Sequence, residues 1–304
     1  MTARGAGGIG PLLRAYALAA RPKTLPAAVA PVLVGAAAAR AAGTWRTGPA
    51  LAAAAGALLI QIGTNFANDV YDYEKGADTA ERRGPLRVTQ AGLLSPRQVR
   101  AGMVAAFGAA VAVGIYLAAV AGWPVVAIGV ASIAAGIAYT AGPMPLAYVG
   151  LGEPFVFLFF GLVAVCGTSF VVAGRVPGLA WGAAVPVGAL ATAILVVNNV
   201  RDHDTDRKAG KRTFAARFGR RAGLAELAGL LVLAYLASPA LAAAARSPAL
   251  VLPALTLPSA VRLYRTVARH EDGPTLNRAL AGSARLLLLY AILLAAGLLA
   301  AGSG

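Results

Sequence analysis

The chain has 304 residues, of which 59% are hydrophobic and only 13% charged, with 27 basic against 12 acidic residues and a formal net charge of +15. Water-soluble domains carry roughly a quarter charged residues, whereas several stretches here run for about 18 or more residues without a charge, long enough to cross a hydrocarbon core roughly 30 Å thick. Lipid offers no hydrogen-bond partners, which leaves helices or a closed barrel, and the apolar runs are too continuous for alternating barrel strands. The chain therefore reads as an all-α polytopic membrane protein, one transmembrane domain over 1–304 with residues 1–20 as a peripheral or flexible segment. MTARGAGGIG at the amino end has no apolar core followed by a cleavage site, so the first span is expected to serve as its own insertion signal.

Nine spans are predicted, over residues 25–42, 49–70, 101–121, 123–141, 154–173, 179–200, 222–245, 248–263 and 279–301. With the amino terminus inside, 23 of the 27 basic residues fall on the cytoplasmic side, as the positive-inside rule requires. The same distribution accounts for most of the net charge, so the basicity argues for a bilayer and against nucleic acid. The expected location is the inner or plasma membrane. Trp45, Trp123 and Trp181 fall at the outer ends of spans, where interfacial anchoring accounts for them. Cys166, the lone cysteine, lies in an apolar run and reads as a small packing residue.

After the second span comes NFANDVYDYEKGADTAERRGPLRVTQ (65–90), and after the sixth NNVRDHDTDRKAGKRT (198–213). These two segments hold 8 of the 12 acids. Four spans separate them, so both face the cytoplasm and can meet across the mouth of a bundle. Asn68 and Asp72 are four apart, as are Asn198, Asp202 and Asp206, and residues four apart share a helix face. Asp78 breaks that spacing; the helix is expected to end near Gly76 and the loop to fold Asp78 back. Asp69, Asp204 and Glu81 read equally well as solvated charges.

Carboxylates gathered this closely repel one another unless a cation sits among them. Magnesium suits that role, being held by one or two carboxylates plus substrate phosphates. Two acidic stripes could hold ions that grip one diphosphate, with Arg82, Arg83, Arg87, Lys211 and Arg212 on the phosphate oxygens. With no Walker loop or dinucleotide turn, the diphosphate reads as a leaving group, and the membrane-embedded diphosphate of choice is polyprenyl diphosphate.

NDVYDYEKGAD and NNVRDHDTDRKAGKRT resemble the two aspartate-rich motifs of the UbiA superfamily of intramembrane aromatic prenyltransferases. More narrowly, RPKTLPAAVAPVLVG (21–35), GPLRVTQAG (84–92) and YTAGPMPLAYVGLGEPFVFLFFG (139–161) resemble the 1,4-dihydroxy-2-naphthoate polyprenyltransferases (MenA-type) of menaquinone synthesis. The resemblance implies a nine-helix bundle around a central cavity. It implies two magnesium ions, one on Asn68, Asp72 and Asp78 and the other on Asn198, Asp202 and Asp206, with the four aspartates essential to catalysis. Many superfamily members have acids four apart in the first motif, and the six-residue gap from Asp72 to Asp78 is the naphthoate subfamily's pattern. The implied reaction joins a polyprenyl group to 1,4-dihydroxy-2-naphthoate with loss of diphosphate and carbon dioxide, giving demethylmenaquinol. Lys23, Arg87 and Gln90 are candidates for the naphthoate carboxylate and Tyr139 for the ring pocket, although Lys23 reads equally as a lipid anchor and Tyr139 also as part of an aromatic belt.

Two alternatives stand beside this reading: another ring acceptor (4-hydroxybenzoate, homogentisate, a chlorophyllide or a haem) and, more remotely, a cation-coupled transporter. The transporter places its acids near the bilayer midplane, whereas these sit at span ends. Glu153 reads as a cap on the amino end of the fifth span, and His203 as a solvated loop residue.

Overall fold

A computed structural model of the chain describes residues 9–76 and 83–302. Every regular element among the described residues is helical. In chain order these are α1 (Ile9–Ala19), a 3-10 turn (Pro22–Thr24), α2 (Pro26–Ala41), α3 (Thr47–Glu74), α4 (Pro96–Ala121), α5 (Pro124–Ala138), the short α6 (Leu146–Val149), α7 (Gly152–Ala173), α8 (Gly178–Lys208), the short α9 (Phe214–Phe218), α10 (Arg220–Ala245), a 3-10 run (Pro248–Thr256), α11 (Leu257–Arg269) and α12 (Gly273–Ala301).

Local chemistry sets the ends. Ser95 and Gln98 form a capping box at the start of α4, with Pro96 at the first helical position. Asp272 accepts from the Thr275 amide at 2.8 Å to open α12. The loop of the first acidic segment begins where α3 stops: Lys75 is its last αR residue and Gly76 follows at φ +67°, the left-handed position that glycine adopts without steric cost. The break expected near Gly76 is present.

Among the described residues six helices (α3, α4, α7, α8, α10 and α12) are long and apolar enough to cross a membrane, and Gly10–Thr24 with Pro26–Ala41, bent by 54°, makes a seventh if counted as one span. That is fewer than the nine expected, and the reason is geometric. The expected fourth span is α5, apolar but only 15 residues long. The expected eighth is split: Pro248, Pro253 and Pro258 interrupt it, its first half is wound as a 3-10 helix, and α11 carries Arg262, Arg265 and Arg269.

α8 is the central helix. Of its apolar window 72% is buried inside the protein, against 50% or less for the other five. Gly161 of α7 and Gly188 of α8 meet so closely that a Cβ on Gly161 would stand 2.8 Å from the Gly188 Cα, the small-residue contact by which helices approach in lipid. α7 makes that contact through a π-helical turn over Phe157–Val163. One core surrounds α8 and draws on α2, α10, α11 and α12; a second joins α1, α3, α4 and the turn at Val88 and Leu94. Each core carries one acidic segment to the same end of the bundle. Cys166 is buried, as expected, and the three tryptophans are exposed.

Candidate active site

Asn68 and Asp72 project from the last turns of α3; Asn198, Asp202 and Asp206 from the last turns of α8. The apolar run of α8 carries straight on into its acids, so Asp202 and Asp206 sit on a rigid helix and both are buried, as is Asp72. The two stripes meet. Lys211 Nζ lies 3.9 Å from Asp72 Oδ1 and 3.7 Å from Asp206 Oδ1, one ammonium between two carboxylates on different helices. Asp72 Oδ2 also accepts from Arg87 Nη2 at 2.9 Å in a buried pair, and Asp72 Oδ1 from the Tyr148 hydroxyl at 3.3 Å.

The turn carrying Arg87 is held by Asp69. Its carboxylate accepts from the amides of Val88 and Thr89, at 3.2 and 3.0 Å, and from the Thr89 hydroxyl. Asp69 is 2% exposed, so it is a structural acid and not a solvated one. Gln90 sits half-buried on the same turn. Asn68 Oδ1 accepts from Thr140 Oγ1 at 3.0 Å. Asp78 and Arg82 lie outside the described residues.

Several residues of the site carry no signal in the spacing. Arg201 is 1% exposed. Its Nε and Nη2 fork onto the two oxygens of Asp202 at 2.9 and 2.6 Å, and it also donates to Asn198 Oδ1 and to Asn277 Oδ1, each at 2.7 Å. Asn277, on α12, donates onward to the carbonyl of Arg83 at 3.0 Å. Lys75 donates to the Thr140 carbonyl at 2.7 Å, and both Lys75 and Lys211 lie 5.0 Å from the centroid of the Tyr148 ring. Burial presses the Lys75 ammonium below the usual lysine value, with Asp72 opposing and Lys211 adding to the effect.

The loop of α6 is clasped to the end of α8 through the Arg212 amide, which donates to the Tyr148 carbonyl at 2.9 Å. Gly150 makes the clasp possible: at φ +80° a Cβ there would stand 2.7 Å from the Arg212 carbonyl oxygen. The Arg212 side chain is exposed, as is that of Arg83, whose guanidinium is 4.0 Å from Asp204.

Below the acids lies an apolar cavity of about 430 Å³ between α2, α3, α4, α5 and α7. Gln61, Thr64, Tyr139 and Leu146 line it. Thr64 is one helical turn below Asn68, so the polar stripe of α3 leads from the cavity to the acids. The Tyr139 ring lines the cavity and its hydroxyl faces Gly152, next to the buried Glu153. Arg21 is held at φ +54°; Lys23, two residues on, is exposed.

Two further expectations are corrected. Glu153 does not cap the amino end of its helix; it is buried and accepts from Asn199 Nδ2 at 2.7 Å. His203 is not in a solvated loop. It lies on α8 with a mostly covered side chain, its Nδ1 2.9 Å from the Val200 carbonyl oxygen and its Nε2 3.3 Å from Asp204.

Among the described residues no three His, Cys, Asp or Glu side chains converge to form a ready-made metal cage. The donors are nonetheless those of a hard cation: carboxylates and amide oxygens, with a positive charge already standing between Asp72 and Asp206. An ionised carboxylate has about four lone-pair sites, so Arg201 orients Asp202 while leaving a further lone pair on each oxygen. Such a set fits magnesium that is also held by a phosphate.

The sequence profile of the UbiA prenyltransferase family matches residues 28–289. A protein of Mycobacterium tuberculosis named 1,4-dihydroxy-2-naphthoate octaprenyltransferase is 38% identical over 282 residues, covering 92% of this chain and 94% of that one. Among solved structures, the apo UbiA homolog of Aeropyrum pernix K1 superposes with a TM-score of 0.70 at 18% identity, covering 92% of this chain and 98% of the other. A UbiA homolog of Archaeoglobus fulgidus bound to GPP and Mg2+ gives 0.65 at 16% identity, covering 92% and 99%.

Proposed function

The chain belongs to the UbiA prenyltransferase family, and we propose that it transfers a polyprenyl group from a polyprenyl diphosphate to 1,4-dihydroxy-2-naphthoate, with loss of diphosphate and carbon dioxide. The observation that carries the reaction class is Lys211 standing between Asp72 and Asp206 at the head of an apolar cavity. Likeness along nearly the whole length to a naphthoate octaprenyltransferase carries the acceptor.

The cavity takes the prenyl tail, and the diphosphate sits among Lys211, Lys75, Arg87, Arg83 and Arg212, with Arg82 of the adjoining loop. Asn68, Asp72, Asp78, Asn198, Asp202 and Asp206 hold two Mg2+ ions. Bound there, Mg2+ neutralises the charge that develops on the departing diphosphate. Tyr139 places the naphthoate ring at the allylic carbon, and the naphthoate carboxylate takes a cationic or amide contact from Arg21, Lys23 or Gln90. The ring attacks through the carbon bearing that carboxylate, which leaves as carbon dioxide. Apolar walls keep water from the allylic cation.

The protein is a multi-pass membrane protein; we place it in the inner or plasma membrane with its amino terminus and both acidic segments cytoplasmic, following the distribution of Arg and Lys. The test is purified protein with Mg2+, dihydroxynaphthoate and a polyprenyl diphosphate. One carbon dioxide should be released per prenyl transferred, and chelation should stop both. Turnover of 4-hydroxybenzoate or homogentisate with none of the naphthoate would assign a different acceptor.

A further inference from the structure

Among the described helices α11 shows the strongest contrast between its two faces. Ala260, Leu263 and Val267 are buried against the core. The outward face carries a shallow groove of about 760 Å³. Its first half is apolar, with Leu257, Pro258 and Val261; its second half is Arg262, Arg265 and Arg269. The arginines span seven residues, about 10 Å of helix, and all three are exposed.

The two acids that follow them on the chain have other partners. Glu271 lies 3.5 Å from Arg220 Nε, and Asp272 caps α12. Arg220 also donates to the carbonyls of Val267, Ala268 and His270, so it closes the end of α11 and holds Glu271 away. His270 Nδ1 is 3.0 Å from the Thr266 carbonyl oxygen. Among the described residues no ion pair involves Arg262, Arg265 or Arg269. Exposed Leu255, Leu257 and Val261 precede them on the chain, so the outer surface of this region changes from apolar to guanidinium within about a turn. That is the profile of one lipid molecule, acyl chain and then phosphate. Three guanidinium groups without a carboxylate select a headgroup of net negative charge, because a zwitterionic one brings its own ammonium.

We propose that the outer face of α11 is a binding site for an anionic phospholipid, with acyl chain along Leu257, Pro258 and Val261 and phosphate oxygens taken by Arg262, Arg265 and Arg269 through bidentate contacts. The site lies at the end of the bundle that carries the acids, since Asn277, about one turn into α12, holds Arg201 and the Arg83 carbonyl.

The test is competition between phosphatidylglycerol and phosphatidylcholine for the full-length protein in mixed nanodiscs, read as lipid retained per protein by native mass spectrometry. A basic residue at an anionic surface is worth about fivefold, so the wild-type protein should prefer phosphatidylglycerol by roughly a hundredfold at this site. The triple variant R262Q/R265Q/R269Q should lose that preference while keeping prenyl transfer in detergent. R265K, which keeps the charge but not the fork, should fall between them. If the triple variant fails to fold, the single R265Q should still lower the preference about fivefold. Equal retention of both lipids by the wild type, an unchanged preference in R265Q, or displacement by inorganic phosphate as readily as by lipid would each overturn the proposal.

Discussion

Replacing Arg201 by Met keeps the bulk of the side chain and removes its charge and donors. Arg201 makes four hydrogen bonds, two to Asp202 and one each to Asn198 and Asn277, at 2.6–2.9 Å. Bonds to charged groups contribute about 1.5–3 kcal/mol each, but these four share one guanidinium and cannot be summed. The better guide is the cost of removing one partner from a buried ion pair, about 3–5 kcal/mol. Asp202 then turns toward water or toward a neighbouring donor, and the lone pairs it offers a cation are no longer fixed. At about 1.4 kcal/mol per tenfold, a loss of even ~3 kcal/mol in the placement of Asp202 lowers kcat/KM by roughly a hundredfold. Prenyl transfer measured across a magnesium titration should show that drop together with a higher magnesium requirement. R201K should recover part of it, because an ammonium keeps the charge but cannot fork. An R201M protein with kcat/KM and magnesium dependence within twofold of wild type would show that Arg201 only fills space.

Asp69→Ala should act through Arg87: it leaves two amides and a hydroxyl without their acceptor, costs about 1–3 kcal/mol per group, and should raise KM for the prenyl diphosphate at least tenfold; an unchanged KM for the prenyl diphosphate would count against it. Lys75 holds its proton less firmly than an ordinary lysine, so a diphosphate contact from it weakens as pH rises through that lowered value. Lys75→Arg should move the alkaline limb of kcat/KM to higher pH, and an unmoved limb would remove Lys75 from the diphosphate site. Glu226 has a buried Oε2 with no hydrogen-bond partner in the described structure, a burden of about 1–3 kcal/mol. Glu226→Leu should therefore raise the thermal unfolding midpoint in detergent, and a lower midpoint would mean that the carboxylate is satisfied in the membrane.

Much of the site was legible because its logic is helical and local. Asn and Asp four apart at the end of an apolar run must share a face, and α3 and α8 carry those faces to the same end. Gly76 ends α3 because no other residue takes its backbone conformation as cheaply. What could not be read depends on partners distant in the chain. Arg201 resembles the other basic residues between 201 and 221 until Asn277 reaches it across 76 positions. Asp69 gains its role only when the turn at Val88 folds back on it, and Glu153 only when Asn199 points at it. Arg21 and Lys23 are indistinguishable by composition, and the left-handed backbone at Arg21 separates them. Span counting failed where hydropathy and geometry part: the window over 248–263 is apolar on average, but its prolines wind it as 3-10 and its arginines begin before a helix could cross.

The placement of Lys211 has a consequence for the order in which ligands arrive. Two carboxylates on separate helices would push those helices apart in the resting protein, and this ammonium serves as their built-in counter-ion. A bare divalent ion at this pair would face Lys211, and Lys75 across the Tyr148 ring, both of its own sign. A diphosphate bound as proposed would bring enough negative charge to draw the two lysines onto its oxygens and free the carboxylates. If Asp72 and Asp206 hold magnesium as proposed, the site would work as an ion exchanger that swaps an internal cation for an external one only when the anion comes with it, and joint loading of magnesium and prenyl diphosphate is the expected outcome.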